Sequence, residues 1–483
     1  MSPQHRTFDW PAHERFARIS CDCNPIHMDA IAARRTHVGA PIVHGIHSLI
    51  WILDRIAHGE PTLASARTLK VQFLQPVYVG DCATLEISRP TPQTIRARAT
   101  VGTTEVAVVS LGFTAPTRPA PPLPCDQRCM LPPSQPRDLT LDDMEGCSGS
   151  LSFGPASSEI AELFPEAVRA FGMQRIAALV STSCLVGMVV PGLHSIFSGL
   201  EIALSEETAP ADQLQFAVSS VTGRFRLVRI SVAARGMCGS LECVSRMPPV
   251  RQQHLDGILP LVSRSEFHGS TALIVGGSRG LGELTGKLIA AGGGRVLLTY
   301  AAGKSDAETL AAQMQAAGLD CRAVAYDIRR PAAGQLAQLK VIPTHVYYFA
   351  TPLIARRKAG LFDVERFAEF SMFYVTGFYD LVQSCAQLRT GRLRVFCPSS
   401  VFVDARPTNM TEYAMAKAAA EILCVDLTKF APGVQVLTRR LPRLPTDQTS
   451  SVAAVTTVAP VEIMLPIVRE MQGQDATDAP GWT

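Results

Sequence analysis

Thr271-Ala272-Leu273-Ile274-Val275-Gly276-Gly277-Ser278-Arg279-Gly280-Leu281-Gly282 sets the architecture of the C-terminal part of the chain. Its first five residues are a short apolar run typical of a buried strand. Glycines crowd the turn, and Glu283-Leu284-Thr285-Gly286-Lys287-Leu288-Ile289 continues in helix-like fashion. Strand, glycine turn and helix form a phosphate site, because glycines let the backbone turn tightly and approach a pyrophosphate whose charge sits at the helix N-terminus. The same residues alone also suit an ordinary glycine-rich loop. The downstream segments favour the dinucleotide reading: strand-like runs at Arg295 to Tyr300, Cys321 to Tyr326 and Val346 to Phe349 alternate with a helix-like run at Ala307 to Ala317. That alternation is the pattern of a doubly wound parallel sheet, an α/β fold of Rossmann type.

A proton-transfer site lies over a hundred residues downstream. Tyr413 and Lys417 stand four apart in an alanine-rich run, Tyr-Ala-Met-Ala-Lys-Ala-Ala-Ala-Glu, so on a helix both project from one face. A phenol that titrates near 10 in water is a poor acid at neutral pH, and lowering that by about three units needs roughly 4 kcal/mol of preference for phenolate. Lys417 and an oxidised nicotinamide ring share that task in this reading. Ser400 follows the strand-like Leu393-Arg394-Val395-Phe396-Cys397, where its hydroxyl is placed to orient a substrate carbonyl. A lone Tyr-x-x-x-Lys is common; its meaning here comes from the glycine turn upstream.

Together these motifs resemble the short-chain dehydrogenase/reductase family from about residue 268 to the end. The resemblance implies Tyr413 as general acid, Lys417 as the group that lowers its pKa and holds the ribose, and Ser400 as the residue positioning the carbonyl. It also implies a dinucleotide held by Gly276, Ser278, Arg279, Gly280, Leu281, Gly282, Tyr300, Asp327, Ile328, Ala350 and Lys417, with Asp327 contacting the adenine. Leu298-Thr299-Tyr300 lacks the acidic residue that grips a free ribose 2′-hydroxyl, and Arg279 suits a 2′-phosphate, so NADPH/NADP is expected over NADH. Two segments depart from the family. Its Asn-Ala-Gly is replaced by Phe349-Ala350-Thr351, and the asparagine of the next helix by Tyr374, which puts the usual water-linked proton relay in doubt.

The N-terminal region carries a second constellation. Ile19-Ser20-Cys21-Asp22-Cys23-Asn24-Pro25-Ile26-His27-Met28-Asp29 places an aspartate and a histidine five apart. On a helix that spacing splays the side chains by about 140°, but Pro25 disfavours helical geometry at Asn24, so a turn is expected. The residues alone fit either a convergent acid/base pair or a surface turn with Asp22 as helix cap. Ala40 to Leu53 reads as a glycine-containing turn entering a long apolar helix, and Gln72 to Asp81 as strand, turn, strand.

These segments resemble the MaoC-like (R)-specific enoyl-CoA hydratases over residues 8 to 115, a hot-dog fold in which a curved sheet wraps a central helix. The resemblance implies Asp22 and His27 as the catalytic pair, Asn24 as their support, and the Gly45 amide as oxyanion donor to the thioester carbonyl. His44 and His47 are expected to be structural. Val189-Val190-Pro191-Gly192-Leu193-His194-Ser195-Ile196 echoes Ile42-Val43-His44-Gly45-Ile46-His47-Ser48-Leu49, which suggests a degenerate second hot-dog domain. Its offset places Arg169 and Gln174 where Asp22 and His27 stand, neither able to do that chemistry. His194 is expected to be a core or helix-start histidine.

At 483 residues the chain suggests about three domains. The expected partition is a hydratase/dehydratase domain at 1–115, a Pro-rich extended linker at 116–135, the second hot-dog at 136–262 and the reductase at 263–483. A net charge of +3 and isolated arginine pairs, including Arg356-Arg357, argue against nucleic acid. Thirteen cysteines without zinc-like spacing fit reduced thiols in the cytoplasm. The opening residues carry no apolar signal segment, and no run approaches a membrane span.

The two motif sets describe consecutive reactions. A ketoreductase turns a 3-oxoacyl thioester into a 3-hydroxyacyl thioester, and an (R)-specific dehydratase then leaves a trans-2-enoyl thioester. The expected function is therefore a bifunctional enzyme of fatty-acyl or polyketide-like synthesis acting on acyl-CoA or acyl carrier protein thioesters. The alternatives are a degradative hydratase plus dehydrogenase, or a single hydratase whose reductase module is a scaffold. Family resemblance further implies paired reductase domains in a homo-oligomer.

Overall fold

The computed structural model describes residues 4–114, 123, 129–153, 157–204, 212–354, 360–449 and 458–473. The described residues fall into two compact units, the first running to Pro248 and the second opening at Pro249. Most of the expected linker, 116–122 and 124–128, lies outside them, as does Arg356-Arg357.

The first unit is built on one 11-stranded sheet. Its strands are β1 (Gln4–Thr7), β2 (Thr68–Phe73), β3 (Cys82–Thr91), β4 (Thr94–Val101), β5 (Thr104–Gly112), β6 (Cys129–Met130), β7 (Ser148–Ser152), β8 (Ser195–Leu204), β9 (Gln213–Thr222), β10 (Leu227–Ala234) and β11 (Met237–Ser245). They lie in the order β1-β3-β4-β5-β2-β8-β11-β10-β9-β7-β6. Alternation makes these strands: in β4 the side chains of Ile95, Ala97 and Ala99 are buried while Arg96 and Arg98 face outward. Two-residue turns at Pro92-Gln93, Gly102-Thr103 and Arg235-Gly236 join neighbours.

The order repeats in two halves, each led into its inner strand by a long buried helix. Gly45–Gly59 precedes β2, and Met173–Cys184, prolonged by a π-helical turn at Leu185–Val189, precedes β8. The halves meet where β2 pairs antiparallel with β8, from Thr68 opposite Ala203 to Gln72 opposite Gly199. Asp54 on the first helix also caps Pro165–Phe171, accepting the amides of Glu166 and Ala167 at 2.8 and 3.1 Å. One core serves both halves.

This topology corrects the expected repeat register. Val189 to Ile196 does not start a helix as Ile42 to Leu49 does; it ends one and enters β8. The helices correspond by their place before the inner strands, so the pairing of Asp22 with Arg169 and of His27 with Gln174 has no structural basis. His194 consequently stands before a strand, not at a helix start. Residues 74–81, expected to hold a second strand, form a connection whose Tyr78 makes an isolated bridge to Ile42.

The second unit is a six-stranded, wholly parallel sheet of β12 (Thr271–Val275), β13 (Arg295–Tyr300), β14 (Cys321–Ala325), β15 (His345–Tyr348), β16 (Leu393–Ser400) and β17 (Val434–Leu441), in the order β14-β13-β12-β15-β16-β17. The chain reverses its direction of winding between β12 and β15, the switch point beyond which ligands bind in such sheets. Ile258 and Val262 contribute to this unit's core, and Lys287 donates to the carbonyl of Gln253 at 2.9 Å; residues from Pro249 onward therefore pack with this parallel sheet. Among the described residues no single helix is long and apolar enough to cross a membrane; Pro165–Phe171 and Met173–Val189 pass such a test only together, bent by 116°.

Candidate active sites

Helix Trp10–Ser20 ends at Cys21 in the left-handed region (φ 55°), which turns the chain so that Asp22 points inward. Asn24 rather than Asp22 caps the short helix Pro25–Met28, accepting the Ile26 amide at 3.1 Å. The turn brings the pair together as expected: a carboxylate oxygen of Asp22 and one ring nitrogen each of His27 and His44 all lie within 4.8 Å of one another. His27 Nδ1 meets the carbonyl of Ile42 at 2.7 Å, which leaves Nε2 for chemistry. Gly45 opens its helix behind the His44 N-cap, among the first amides without an intrahelical partner.

His44 does more than fill the core. Its ring stacks on His27 at 4.0 Å, and its Nε2 lies 3.0 Å from the Asp22 carbonyl and 3.9 Å from the Asp22 carboxylate. His13 contacts the His27 carbonyl at 3.0 Å, and His47 stacks on Phe16 at 4.6 Å. Burial pushes His13 down to about 4, and His44 and His47 well below the usual histidine range. Burial also lowers His27, with Asp22 pulling the other way, while it raises Asp22 against the opposing effect of His27. Neutral imidazoles thus surround a carboxyl group that holds its proton more readily than in water, a combination suited to exchanging protons with a bound hydroxyl.

Sequence reasoning missed the partners supplied by the second half. Ser183 donates to Asp22 Oδ2 at 2.7 Å, and the Asn24 amide reaches the carbonyls of Gly187 and Gly192 at 2.7 and 3.1 Å. Gly187 is required by a close approach: a Cβ there would sit 2.3 Å from Asp22 Oδ1. We expect Gly187→Ala to displace the Asp22 carboxylate and to lower the enoyl-thioester hydration expected of this site by about 10²-fold, as for the loss of one well-placed acid/base group. Comparing enoyl-thioester hydration by the two purified proteins checks this; unchanged turnover would show that the carboxylate has no fixed position.

In the second unit the glycine turn runs from β12 into helix Gly280–Ala291. Gly276 has φ +81°, and a Cβ on Gly282 would lie 2.3 Å from the Gly276 carbonyl. A backbone this bare in front of a helix N-terminus fits a pyrophosphate. Ser278 and Leu281 lie in the same turn, and Tyr300 ends the neighbouring β13. Arg279 pairs with Asp447 at 3.0 Å, so meeting a 2′-phosphate entails an exchange of partners. Asp327 is gripped by Nε and Nη2 of Arg329 at 2.9 and 2.8 Å, which hold it below the usual carboxylate range; Ile328 beside it is buried. Ala350 follows β15, its backbone close to Gly276.

Tyr413 and Lys417 share the buried face of helix Thr411–Phe430, with the ammonium 5.9 Å from the Tyr413 ring centre. Ser400 closes β16 and accepts the Phe402 amide at 3.2 Å, while the Phe402 ring stands edge-on to Tyr413 at 6.2 Å. Lys417 donates to the Pro398 carbonyl at 2.8 Å and lies 3.9 Å over the ring of Tyr374.

Comparison with known proteins finds a family match for the N-terminal and for the C-terminal motif set. Residues 3–110 match the MaoC like domain, and residues 270–429 match the short chain dehydrogenase family. No curated protein matches the chain. Similar solved structures include a short chain dehydrogenase/reductase family protein (24% identity, 38% of this chain and 78% of that one, TM-score 0.35). Another is a gluconate 5-dehydrogenase from Burkholderia cenocepacia J2315 in complex with NADP and tartrate (19%, 44% and 88%, 0.36). A third is FolM alternative dihydrofolate reductase 1 from Brucella suis in complex with NADP (17%, 35% and 71%, 0.33). This chain is a fusion of an N-terminal MaoC-like domain and a C-terminal short-chain dehydrogenase domain.

Proposed function

We propose that the chain is a bifunctional enzyme that reduces a 3-oxoacyl thioester with NADPH and dehydrates the resulting (R)-3-hydroxyacyl thioester to a trans-2-enoyl thioester. The observation that carries this reading is the convergence of Asp22 and His27 in one unit together with Tyr413 and Lys417 on one helix face in the other. In this reading both sites protonate the same oxygen, on C3 of a thioester: one as the carbonyl is reduced, the other as the hydroxyl leaves.

In the second unit Gly276, Ser278, Gly280, Leu281 and Gly282 would hold the dinucleotide phosphates, Tyr300, Asp327, Ile328 and Ala350 would line its adenosine side, and Lys417 would meet the ribose. The bound cofactor supplies hydride. Tyr413 delivers a proton to the carbonyl oxygen, which Ser400 orients. Tyr300 in place of an acidic residue, and an Arg279 that can trade Asp447 for a phosphate, favour NADPH.

In the first unit, elimination takes a proton from C2 and gives one to the departing C3 hydroxyl. Asp22 and His27 supply the acceptor and donor, and exchange roles in hydration. The Gly45 amide polarises the thioester carbonyl. The carrier is coenzyme A or acyl carrier protein, in an acyl-synthetic route in the cytoplasm. Incubating the protein with NADPH and 3-oxoacyl thioesters of graded length, and identifying products by mass, tests the reading. Products lighter by one water after reduction support it; no NADPH consumption with any thioester defeats it.

A further inference from the structure

Thr351 and Tyr374, two of the positions at which the reductase departs from its family, stand 23 residues apart in sequence but touch in the fold. Thr351 Oγ1 and the Tyr374 hydroxyl share a hydrogen bond at 2.5 Å. Tyr374 sits in a π-helical turn, Met372–Thr376, and is only 2% exposed. Its ring is fixed on other sides too, stacked on Phe370 at 5.8 Å and edge-on to Tyr413 at 5.8 Å. With the hydroxyl engaged by Thr351, the ring face is what remains for a neighbour, and the Lys417 ammonium lies 3.9 Å from its centre.

We propose that Tyr374 is the positioning residue for Lys417, holding the ammonium by its ring face where the family uses an asparagine and water. A cation is drawn to the negative face of an aromatic ring, most strongly where water is excluded. Lys417 is 7% exposed and its other contact is the Pro398 carbonyl at 2.8 Å. Ring and carbonyl together set where the ammonium points, and thereby its distance from Tyr413. Burial keeps the Tyr374 phenol protonated, far above its ordinary titration range, so the ring acts through its face and not as an anion. Thr351 and Tyr374, two of the three residues that differ from the family, meet in one hydrogen bond. This inference rests on the proposed reductase activity.

The test uses the full chain with Tyr374→Phe, which keeps the ring, and Tyr374→Leu, which removes it. Two quantities are measured: Kd for NADPH from the fluorescence of the bound dinucleotide, and kcat for reduction of a 3-oxoacyl thioester. Tyr374→Phe should stay within about threefold of the unaltered protein in both, whereas Tyr374→Leu should weaken Kd and lower kcat by about tenfold or more. If leucine behaves like tyrosine, or phenylalanine is as damaged as leucine, the ring is not what holds the lysine and the proposal falls. A second measurement does not depend on turnover. In protein with carbon-13-labelled lysine, the Lys417 ε-methylene signal, identified through Lys417→Arg, should be displaced upfield by the ring face and remain so in Tyr374→Phe. An undisplaced signal overturns the proposal even if a variant folds poorly. Absence of reduction by the unaltered protein would count against the reductase activity alone, leaving Kd and the lysine signal to judge the role of Tyr374.

Discussion

Asp22→Asn should lower hydration of a trans-2-enoyl thioester by about 10³-fold while leaving NADPH-dependent reduction unchanged. Asparagine matches aspartate in shape: with its oxygen at the Oδ1 position it still accepts from the Asn24 backbone N–H, 3.2 Å away, and its NH2 at the Oδ2 position can donate to the Ser183 hydroxyl oxygen, 2.7 Å away. What it cannot do is take up or release a proton at neutral pH. The site is otherwise kept, with His27 anchored to Ile42 and His44 stacked against it. Burial already works against the charged form of Asp22, so replacing it removes a desolvated carboxylate and should not lower the melting temperature. Stopped assays of hydration and reduction on the same preparation check the outcome. Hydration retained at more than a tenth would remove Asp22 from the chemistry.

Tyr413→Phe should have the opposite effect, lowering reduction by about 10³-fold or more and sparing hydration. The substitution removes one oxygen and keeps the ring contacts with Phe370, Tyr374 and Phe402 at 5.6, 5.8 and 6.2 Å. Lys417 keeps its hold on Pro398 and Tyr374, so NADPH affinity should change by less than about threefold, a loss of proton transfer without loss of binding. Dinucleotide fluorescence separates the two quantities. Undiminished reduction would show that another group, or water, protonates the carbonyl oxygen.

Part of the fold and of both sites was legible in the chain. Thr271–Val275 and Arg295–Tyr300 are strands at the residues expected, since both are apolar runs buried on two faces and stopped by glycine or small residues. The Asp22-to-His27 turn was legible through Pro25. Ser183 and Gly187 were not, because their meaning lies in contacts to residues more than 160 positions away, and nothing local marks a helix end that must meet a carboxylate. The likeness of Val189–Ile196 to Ile42–Leu49 misled for a related reason: Gly-x-His-Ser suits both a helix start and the turn after a helix, and only strand order separates them. Thr351 and Tyr374 were each visible as departures, yet their hydrogen bond belongs to the fold alone.

The seam between β2 and β8 has a practical corollary for anyone trimming this polypeptide. The stretch that matches the MaoC like domain stops at residue 110, and a fragment cut there would bare the edge of β2 to solvent, inviting self-association. It would also strip the aspartate of its serine donor and the asparagine of both carbonyl acceptors. The smallest excisable catalytic piece therefore ends near Pro248, and a shorter expression product should be insoluble or inert whatever the integrity of its own acid and base.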